Sequence, residues 1–145
     1  MHEALEMIAD AIRNDEELKT LPLTVLVEDK GDISFESANA LAKVGVTAIV
    51  TANRYQRRAK SGPLLTGTLT IDINVGETIP VNRRAPGYTT AQHVADVIAR
   101  RFHWRTMDGG RFESPLRLSG IEKQYTDPKT VAFSLSFEAE YLLEG

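Results

Sequence analysis

Basic side chains interleaved with an aromatic ring form the most distinctive chemical pattern in the sequence. They are concentrated in residues 54–60, and a second basic pair follows in a later loop. Guanidinium and ammonium groups bind phosphates or carboxylates, and a neighbouring aromatic ring adds a surface for stacking. The pattern therefore predicts a contact site for a protein partner or for nucleic acid, formed by Arg54, Tyr55, Arg57, Arg58, Lys60, Arg83 and Arg84.

Residue patterns that support catalysis or metal binding are lacking. The chain has no cysteine, which excludes disulfides, thiolate metal sites and cysteine nucleophiles. Its histidines are His2, His93 and His103, and the last two are ten residues apart on one predicted helix, so they do not share a face. The sequence contains neither a glycine-rich phosphate loop nor a nucleophile elbow. We therefore predict that the protein is not an enzyme and has no catalytic residue, metal site or cofactor.

Charge is unevenly distributed along the chain, although the net charge is only −3. Residues 1–36 carry three basic and ten acidic side chains, whereas residues 37–107 carry ten basic and three acidic ones. Such segregation indicates either a nucleic-acid-binding face or a basic surface that meets the acidic surface of a neighbouring copy. A fold that intermixes these segments would instead average the two charges.

The elements that position these residues begin with an acidic amphipathic helix. Its apolar side chains recur at helical spacing (Leu5, Ile8, Ala9 and Ile12), and we expect it to end near Leu18. Residues 23–29 predict a strand rich in β-branched side chains. A shorter second helix is predicted over residues 34–44, with Ser34 as its cap and Gly45 as its left-handed stop.

The clearest strand signals follow in residues 46–54 and 65–75. The second of these alternates apolar and polar side chains, which is typical of an antiparallel sheet with one buried face. Because residues 55–64 are too many for a tight hairpin turn and carry three cations, we predict that they form an exposed basic arm between the two strands.

The second half of the chain predicts a loop, a helix and two strands. Residues 76–88 contain two prolines and read as a loop, after which Thr89 and Gln92 have the spacing of a capping box. We expect the helix they start to be the main helix packed on the sheet. Strands are predicted over residues 115–123 and 130–143, with a turn at 125–129.

This order of elements indicates an α+β fold. We predict a two-layer sandwich, in which a mainly antiparallel sheet carries its helices on one face, in the order α-β-α-β-β-α-β-β. The chain of 145 residues is expected to form a single domain, 1–145, with an ordinary globular composition of 42% hydrophobic residues. No apolar stretch is long enough to span a bilayer, and the acidic amino terminus is unlike a secretory signal, so we expect a soluble cytoplasmic protein.

Taken together, these features resemble a family of bacteriophage proteins. The features are a cysteine-free chain of this length, the acidic first helix, the hairpin with a long arm, and the segment GYTTAQHVADVIARRFHW followed by two closing strands. They are similar to the small neck and tail-completion proteins of long-tailed phages, above all the tail terminators. The resemblance covers most of the chain. The predicted helix at 34–44 departs from the simplest terminator pattern, which has a helix, four strands, a helix and two strands.

The resemblance implies a structural virion protein that forms a ring, commonly sixfold, at the head–tail junction. Such a ring caps the tail tube and joins it to the head, so its implied partners are further copies of the chain, the tail tube, the neck or connector proteins and, non-specifically, the passing DNA. It implies no membrane contact, assembly in the host cytoplasm and a final location in the phage tail or neck. The alternatives are another neck, head-completion or tail-assembly protein, or a small nucleic-acid-binding module.

Overall fold

The computed structural model describes residues 1–27, 45–58, 65–82 and 87–144. The described residues form a mixed α/β fold with an open, mainly antiparallel five-stranded sheet and two main helices. The helices are α1 (His2–Asn14), a single turn α2 (Ile79–Asn82) and α3 (Ala91–Phe102), with a 3₁₀ turn at Leu18–Thr20. The strands are β1 (Leu23–Val27), β2 (Val46–Arg57), β3 (Leu65–Thr78), β4 (Arg117–Asp127) and β5 (Thr130–Glu144).

The sheet has the strand order β1-β2-β3-β5-β4. β1 runs parallel to β2, with Leu23 opposite Val46, and every other neighbouring pair is antiparallel. β3 is the central strand and pairs along its whole length with β5. The predicted helix at 34–44 lies outside the described residues, as does the rest of the connection between β1 and β2.

One hydrophobic core contains buried side chains of both main helices and of the sheet. The alternation predicted for β3 and β5 is confirmed at their centres, where Ile71 and Ile73 pair with Phe137 and Leu135 and all four are buried. Helix α1 packs against β1 and β2, and α3 packs against the remaining strands as well as β2. Their buried stripes are as predicted from periodicity: Leu5, Ile8, Ala9 and Ile12 in α1, and Ala91, Val94, Ala95, Ile98 and Phe102 in α3.

The first helix ends earlier than predicted, because Asp15 stops it. Asp15 has an extended backbone, and its carboxylate accepts hydrogen bonds from the amides of Glu17 and Leu18, both at 3.1 Å. These bonds satisfy the first donors of the 3₁₀ turn that follows. Leu18 is therefore not the end of α1 but the start of that turn, and its side chain is buried.

The cap of α3 also differs from the prediction. Thr90, not Thr89, is the N-cap residue, and its hydroxyl accepts the amide of His93 at 3.1 Å. Thr89 is buried instead. A side chain distant in sequence supplies the second acceptor, since Glu77 at the end of β3 accepts the amide of Ala91 at 3.0 Å. The spacing of neighbouring residues cannot predict this acceptor, because Glu77 belongs to a strand and is distant in sequence from the helix.

Several strands run further than the sequence indicated. β3 continues to Thr78 because Gly76–Thr78 pair with β5, so the predicted loop at 76–88 begins only after that strand and includes the turn α2. Likewise β4 extends to Asp127, which leaves only residues 128 and 129 for the predicted turn at 125–129. In both cases cross-strand hydrogen bonds outweigh the local preference of the residues for turns.

Gly45, at the start of β2, has the positive φ predicted for it, at +107°. A Cβ atom at this position would lie 2.6 Å from the carbonyl oxygen of Pro22, which accepts the amide of Val46 at 2.9 Å. A glycine is therefore required where the chain enters the parallel pair. Among the helices of the described residues, none is long and apolar enough to cross a membrane.

Candidate interaction surfaces

The first three residues of the predicted basic arm belong to a strand. Tyr55, Gln56 and Arg57 continue β2 and pair with Leu69, Thr68 and Gly67 of β3, so the predicted boundary of the arm at residue 55 is wrong. A register shift between Ala52 and Arg54 precedes this extension. The β2–β3 hairpin is therefore long, with one irregularity, and the structure describes it up to residue 58 on one side and from residue 65 on the other.

The described arginines of this hairpin have exposed side chains. Arg54, Arg57 and Arg58 are all exposed. The guanidinium of Arg58 forms an ion pair with Glu140 of β5 at 3.2 Å. We call Arg54, Arg57 and Arg58 the hairpin arginines. The other predicted cations of the site, Lys60, Arg83 and Arg84, lie outside the described residues.

Tyr55 differs from the hairpin arginines because its ring is half-buried. It packs against the hydrophobic core, and its hydroxyl donates a long hydrogen bond of 3.4 Å to the carbonyl of Tyr141. Burial, reinforced by the negative charge of Glu113, raises the pKa of the Tyr55 hydroxyl. Tyr55 thus connects this end of β2 to the core and to β5. Less of its ring is accessible to a partner than the sequence analysis expected.

Glu140 lies at the centre of a polar network on the sheet. Besides Arg58, it accepts the guanidinium of Arg117 at 3.3 Å and the hydroxyl of Thr68 at 3.2 Å. Nearby, Asp72 accepts the amide of Asn53 and the hydroxyl of Ser136, at 2.6 and 2.7 Å. The described residues contain no group of three or more acidic or histidine side chains arranged to hold a metal ion. Apart from that with Arg58, just after β2, the contacts of Glu140 and Asp72 are with side chains of other strands, so they join neighbouring strands of the sheet.

A second surface, which the sequence analysis did not select, lies after α3. The chain there reads RRFHWR over residues 100–105. Trp104 is 62% exposed, more than any other large hydrophobic side chain in the described residues, and arginines flank it on both sides. We call Arg100, Arg101, His103, Trp104 and Arg105 the Trp104 surface. The sequence signal was present in this run, but the prediction extended the helix to His103 and gave Trp104 and Arg105 no role in a contact site.

Trp104 is held in a left-handed backbone conformation, with φ of +64°. Its amide donates to the carbonyl of Leu116 at 2.7 Å, and the amide of Leu116 donates to the carbonyl of Arg105 at 2.9 Å. In addition, Nδ1 of His103 accepts the amide of Leu118 at 3.0 Å. Such a conformation disfavours a residue with a side chain by about 1–3 kcal/mol, and it persists only where neighbouring contacts enforce it. These three bonds to the start of β4 are those contacts.

Two arginines of this surface, Arg101 and Arg105, have different local partners. Arg101 forms an ion pair with the carboxylate of Asp15, whose side chain is 1% exposed. The guanidinium of Arg105 lies over the ring of Phe102, at 4.7 Å from its centroid. Arg100 has an exposed side chain. The rings of His103 and Trp104 are 5.5 Å apart in an edge-to-face arrangement, so His103 also limits the orientation of the tryptophan.

Two open clefts adjoin Trp104. The first, of about 730 Å³, lies between the end of α1 and the end of α3 and is lined almost entirely by polar and charged side chains: Asn14, Asp15, Glu16, Arg100, Arg101, His103, Trp104 and Arg105. The second, of about 400 Å³, lies between α1 and the chain after Trp104, and is lined by Met7, Asp10, Ala11, Asn14, Arg105, Thr106, Met107 and Asp108. We call the second one the α1 groove. Asn14 and Arg105 line both, so the two clefts are contiguous.

Comparisons with known proteins identify no family for the chain. No family model matches it, and no curated protein matches it. Among the solved structures that match, one aligns over 100% of this chain and 99% of its own, with 18% sequence identity and a TM-score of 0.47. A likeness this remote carries no conclusion about fold or function. The function has to be inferred from the surfaces themselves.

Proposed function

We propose that this chain is a structural assembly protein of a phage virion, similar to a tail terminator, which forms a ring of identical copies at the head–tail junction. The observation that carries the proposal is the long β2–β3 hairpin, which bears the exposed Arg54 and Arg57. A strand pair stiffened by cross-strand bonds is suited to contact a neighbouring subunit at a defined position. The other contacts of the ring, with the tail tube, the neck proteins and the passing DNA, are part of the same proposal.

The charge distribution supports a head-to-tail ring. Such a ring needs two different and complementary surfaces on each copy, since each interface joins unlike patches. Within residues 1–27, the acidic side chains number six and the basic ones two, in contrast to the hairpin arginines. Acidic Glu3 and Asp10 are exposed on α1, so the amino-terminal segment is an acidic surface that a neighbour's arginines would contact.

The finer form of the fold is also a proposal. We propose a two-layer sandwich with both main helices on one face of the sheet, in the order α-β-α-β-β-α-β-β. In support, α1 and α3 share one hydrophobic core with the sheet. The parallel pairing of β1 with β2 is further support, because parallel neighbours require a crossover connection. The second helix of that order lies outside the described residues.

The experiment that tests the ring reverses charge on the hairpin. We expect Arg54→Glu combined with Arg57→Glu to reduce the oligomer mass measured by light scattering, and to abolish annular particles in electron micrographs, while circular dichroism stays unchanged. The matched control is Lys123→Glu combined with Lys129→Glu, which changes the net charge equally at exposed positions outside both proposed ring surfaces. An oligomer mass unaffected by the hairpin variant at low and high salt would contradict the role of the hairpin. A 16.0 kDa species at every concentration, without annular particles, would contradict the ring itself.

A nucleic-acid-binding module is the second candidate function, because the hairpin arginines would serve it equally well. It predicts a gel shift with duplex DNA whose binding constant falls steeply with salt, since each neutralised phosphate releases counterions. The same Arg54→Glu and Arg57→Glu variant would then reduce the salt slope and the affinity, without changing the mass of the free protein. Other neck, head-completion or tail-assembly rings remain within the first proposal, because they use the same kind of interface.

A further inference from the structure

We propose that the Trp104 surface and the α1 groove together form a two-fold contact between copies of this chain, in which Trp104 of each copy enters the α1 groove of the other. An anchor and a receptor for it lie side by side on one molecule. An interface of this kind is self-complementary, because the same patch is used by both partners. It does not depend on the ring proposed above, which needs unlike surfaces, although both contacts would include Asp10 on α1.

Trp104 has the properties of an interface anchor. A tryptophan is the largest apolar side chain, and burying it removes more surface from water than any other residue. Here it is 62% exposed, its backbone is fixed by the hydrogen bond of its own amide, and its ring contacts the ring of His103. The backbone that presents the ring is therefore ordered before any partner binds. Tryptophan and arginine are also the residues most enriched among those that dominate interface energetics.

The α1 groove provides the chemistry that this anchor requires. Apolar side chains line it from both walls, with Met7 and Ala11 half-buried on α1 and Met107 buried opposite them. Methionine is a flexible side chain that packs well against aromatic rings. Asp10 and Asp108 also line the groove, and both are exposed. A tryptophan flanked by arginines would thus contact apolar side chains with its ring and meet carboxylates beside it.

Because the two clefts are contiguous, the proposed contact between copies has two-fold symmetry. Because Asn14 and Arg105 line both, the anchor and its receptor share one face of the molecule. In the proposed dimer, a second copy turned by 180° about an axis through that shared region would place its Trp104 over this groove and receive Trp104 of the first copy in its own. A head-to-tail arrangement would require the anchor and the receptor on different faces.

The charges of this face favour a protein over a polyanion as its partner. Asp15 and Glu16 line the same cleft as the arginines, and Asp15 already forms an ion pair with Arg101. The α1 groove adds Asp10 and Asp108. Phosphates approaching this surface would meet acidic side chains on both sides of Trp104, whereas a second copy presents both signs of charge in complementary positions.

Trp104 is the single tryptophan of the chain, so tryptophan fluorescence reports on the surroundings of that side chain alone. The Arg54→Glu and Arg57→Glu variant is the background, so that the ring contact does not contribute. We expect its emission to shift to shorter wavelength, and to become less accessible to acrylamide, as protein concentration rises. Sedimentation equilibrium over the same range should show a monomer–dimer transition. Trp104→Ala should raise the dimer dissociation constant at least about 30-fold, as expected for a central interface residue. The matched control Tyr88→Ala removes another exposed aromatic side chain and should leave the constant unchanged.

The receptor side is tested while Trp104 is left in place. Ala11→Lys places a long cation in the α1 groove and should abolish the concentration-dependent shift, with the helical circular dichroism signal retained. Asp108→Lys, in the chain between α3 and β4, is a second variant that leaves α1 unaltered and should weaken the dimer. Emission and mass that do not change with concentration would overturn the proposal. A blue shift produced by a single-stranded oligonucleotide, at concentrations where the protein is monomeric, would overturn it also and assign the surface to nucleic acid.

Discussion

Asp15 and Arg101 join the end of α1 to the last turn of α3 through a carboxylate–guanidinium contact. The carboxylate is buried, whereas the guanidinium is 40% exposed. The same carboxylate accepts the amides of Glu17 and Leu18, so one side chain ends a helix, starts a 3₁₀ turn and connects two elements distant in sequence. It also forms one wall of the cleft beside Trp104.

The pH dependence of stability should show the contribution of Asp15. Burial alone would raise the pKa of its carboxyl, but the hydrogen bonds from Arg101, Leu18 and Glu17 outweigh burial and lower that pKa below the usual 3.8. A carboxyl with a lowered pKa in the folded state stabilises the fold above pH 3.8. That contribution is lost as the pH falls through the folded-state pKa. We expect Asp15→Asn to reduce the free energy of unfolding by about 1 kcal/mol at pH 7, because a carboxamide is a weaker acceptor than a carboxylate.

Urea unfolding of wild type and Asp15→Asn at pH 7 and pH 3 measures this contribution. The two curves should lie further apart at pH 7, since all other carboxyls titrate equally in both proteins. Arg101→Gln is the partner variant and should show the same direction of change. A difference between wild type and Asp15→Asn that grows toward low pH would contradict the lowered pKa.

Gly67 allows β2 and β3 to approach closely at the end of their hairpin. A Cβ atom there would lie 2.2 Å from the carbonyl oxygen of Gln56 and 2.8 Å from Cα of Arg57. Both contacts are with backbone, which cannot move without disturbing the pairing. We expect Gly67→Ala to lower the free energy of unfolding by about 2 kcal/mol or more. It should also increase hydrogen exchange at the amides around Arg57.

Gly120 in β4 provides the control for that substitution. No heavy atom lies within 4 Å of a Cβ built on Gly120. Gly120→Ala should therefore change stability by less than about 0.5 kcal/mol in the same urea titration. Equal losses from the two substitutions would show that the cost reflects a general effect of alanine in strands and not the close approach at Gly67.

The backbone of Trp104 should favour glycine over alanine. Its φ of +64° disfavours any residue with a Cβ atom, so Trp104→Gly and Trp104→Ala both lose the indole ring but differ in backbone strain. We expect the glycine variant to be more stable than the alanine variant by about 1 kcal/mol, as measured by the midpoints of thermal or urea unfolding. Equal midpoints would mean that the turn relaxes once the ring is removed.

The ion pair between Glu140 and Arg117 should contribute modestly to the free energy of unfolding. Their side chains are 26% and 32% exposed, and the ion pair spans 3.3 Å between β5 and β4. A double-mutant cycle with Glu140→Gln and Arg117→Met should give a coupling energy of about 0.5–1 kcal/mol at low salt, and less in 1 M NaCl. Additive effects of the two substitutions at low salt would show that the network contributes no pairwise stability.

Periodicity predicted most of the sheet and both main helices, because these elements bury one face and leave the other exposed. Apolar and polar residues alternate around Ile71 and Phe137 because one face of each strand is buried and the other is not. The ends of the elements were harder to predict, since they depend on contacts between segments distant in sequence. The end of α1 at Asn14 depends on the hydrogen bonds that the Asp15 carboxylate accepts. The start of α3 at Ala91 depends partly on the hydrogen bond that Glu77 accepts.

The functional surfaces were predicted less well than the fold, for a related reason. The hairpin arginines could be found because charge density is visible in the sequence, whereas the packing of Tyr55 against the core required its cross-strand neighbours. Trp104 entered the sequence analysis only as the last residue of the segment that carries the resemblance, and its exposure was not predicted. The left-handed turn at Trp104 depends on hydrogen bonds with Leu116 and Leu118, which are distant in sequence.

The position of β3 in the middle of the sheet has a consequence for biosynthesis. On one side β3 pairs with β2, which precedes it closely, but on the other side it pairs with β5 at separations of roughly 50–80 residues. When a ribosome has released β3, the strand that completes its second edge has still to be translated. The nascent chain therefore has an open hydrogen-bonding edge on β3 until β5 emerges, and a chain truncated before Thr130 would retain that edge permanently and aggregate.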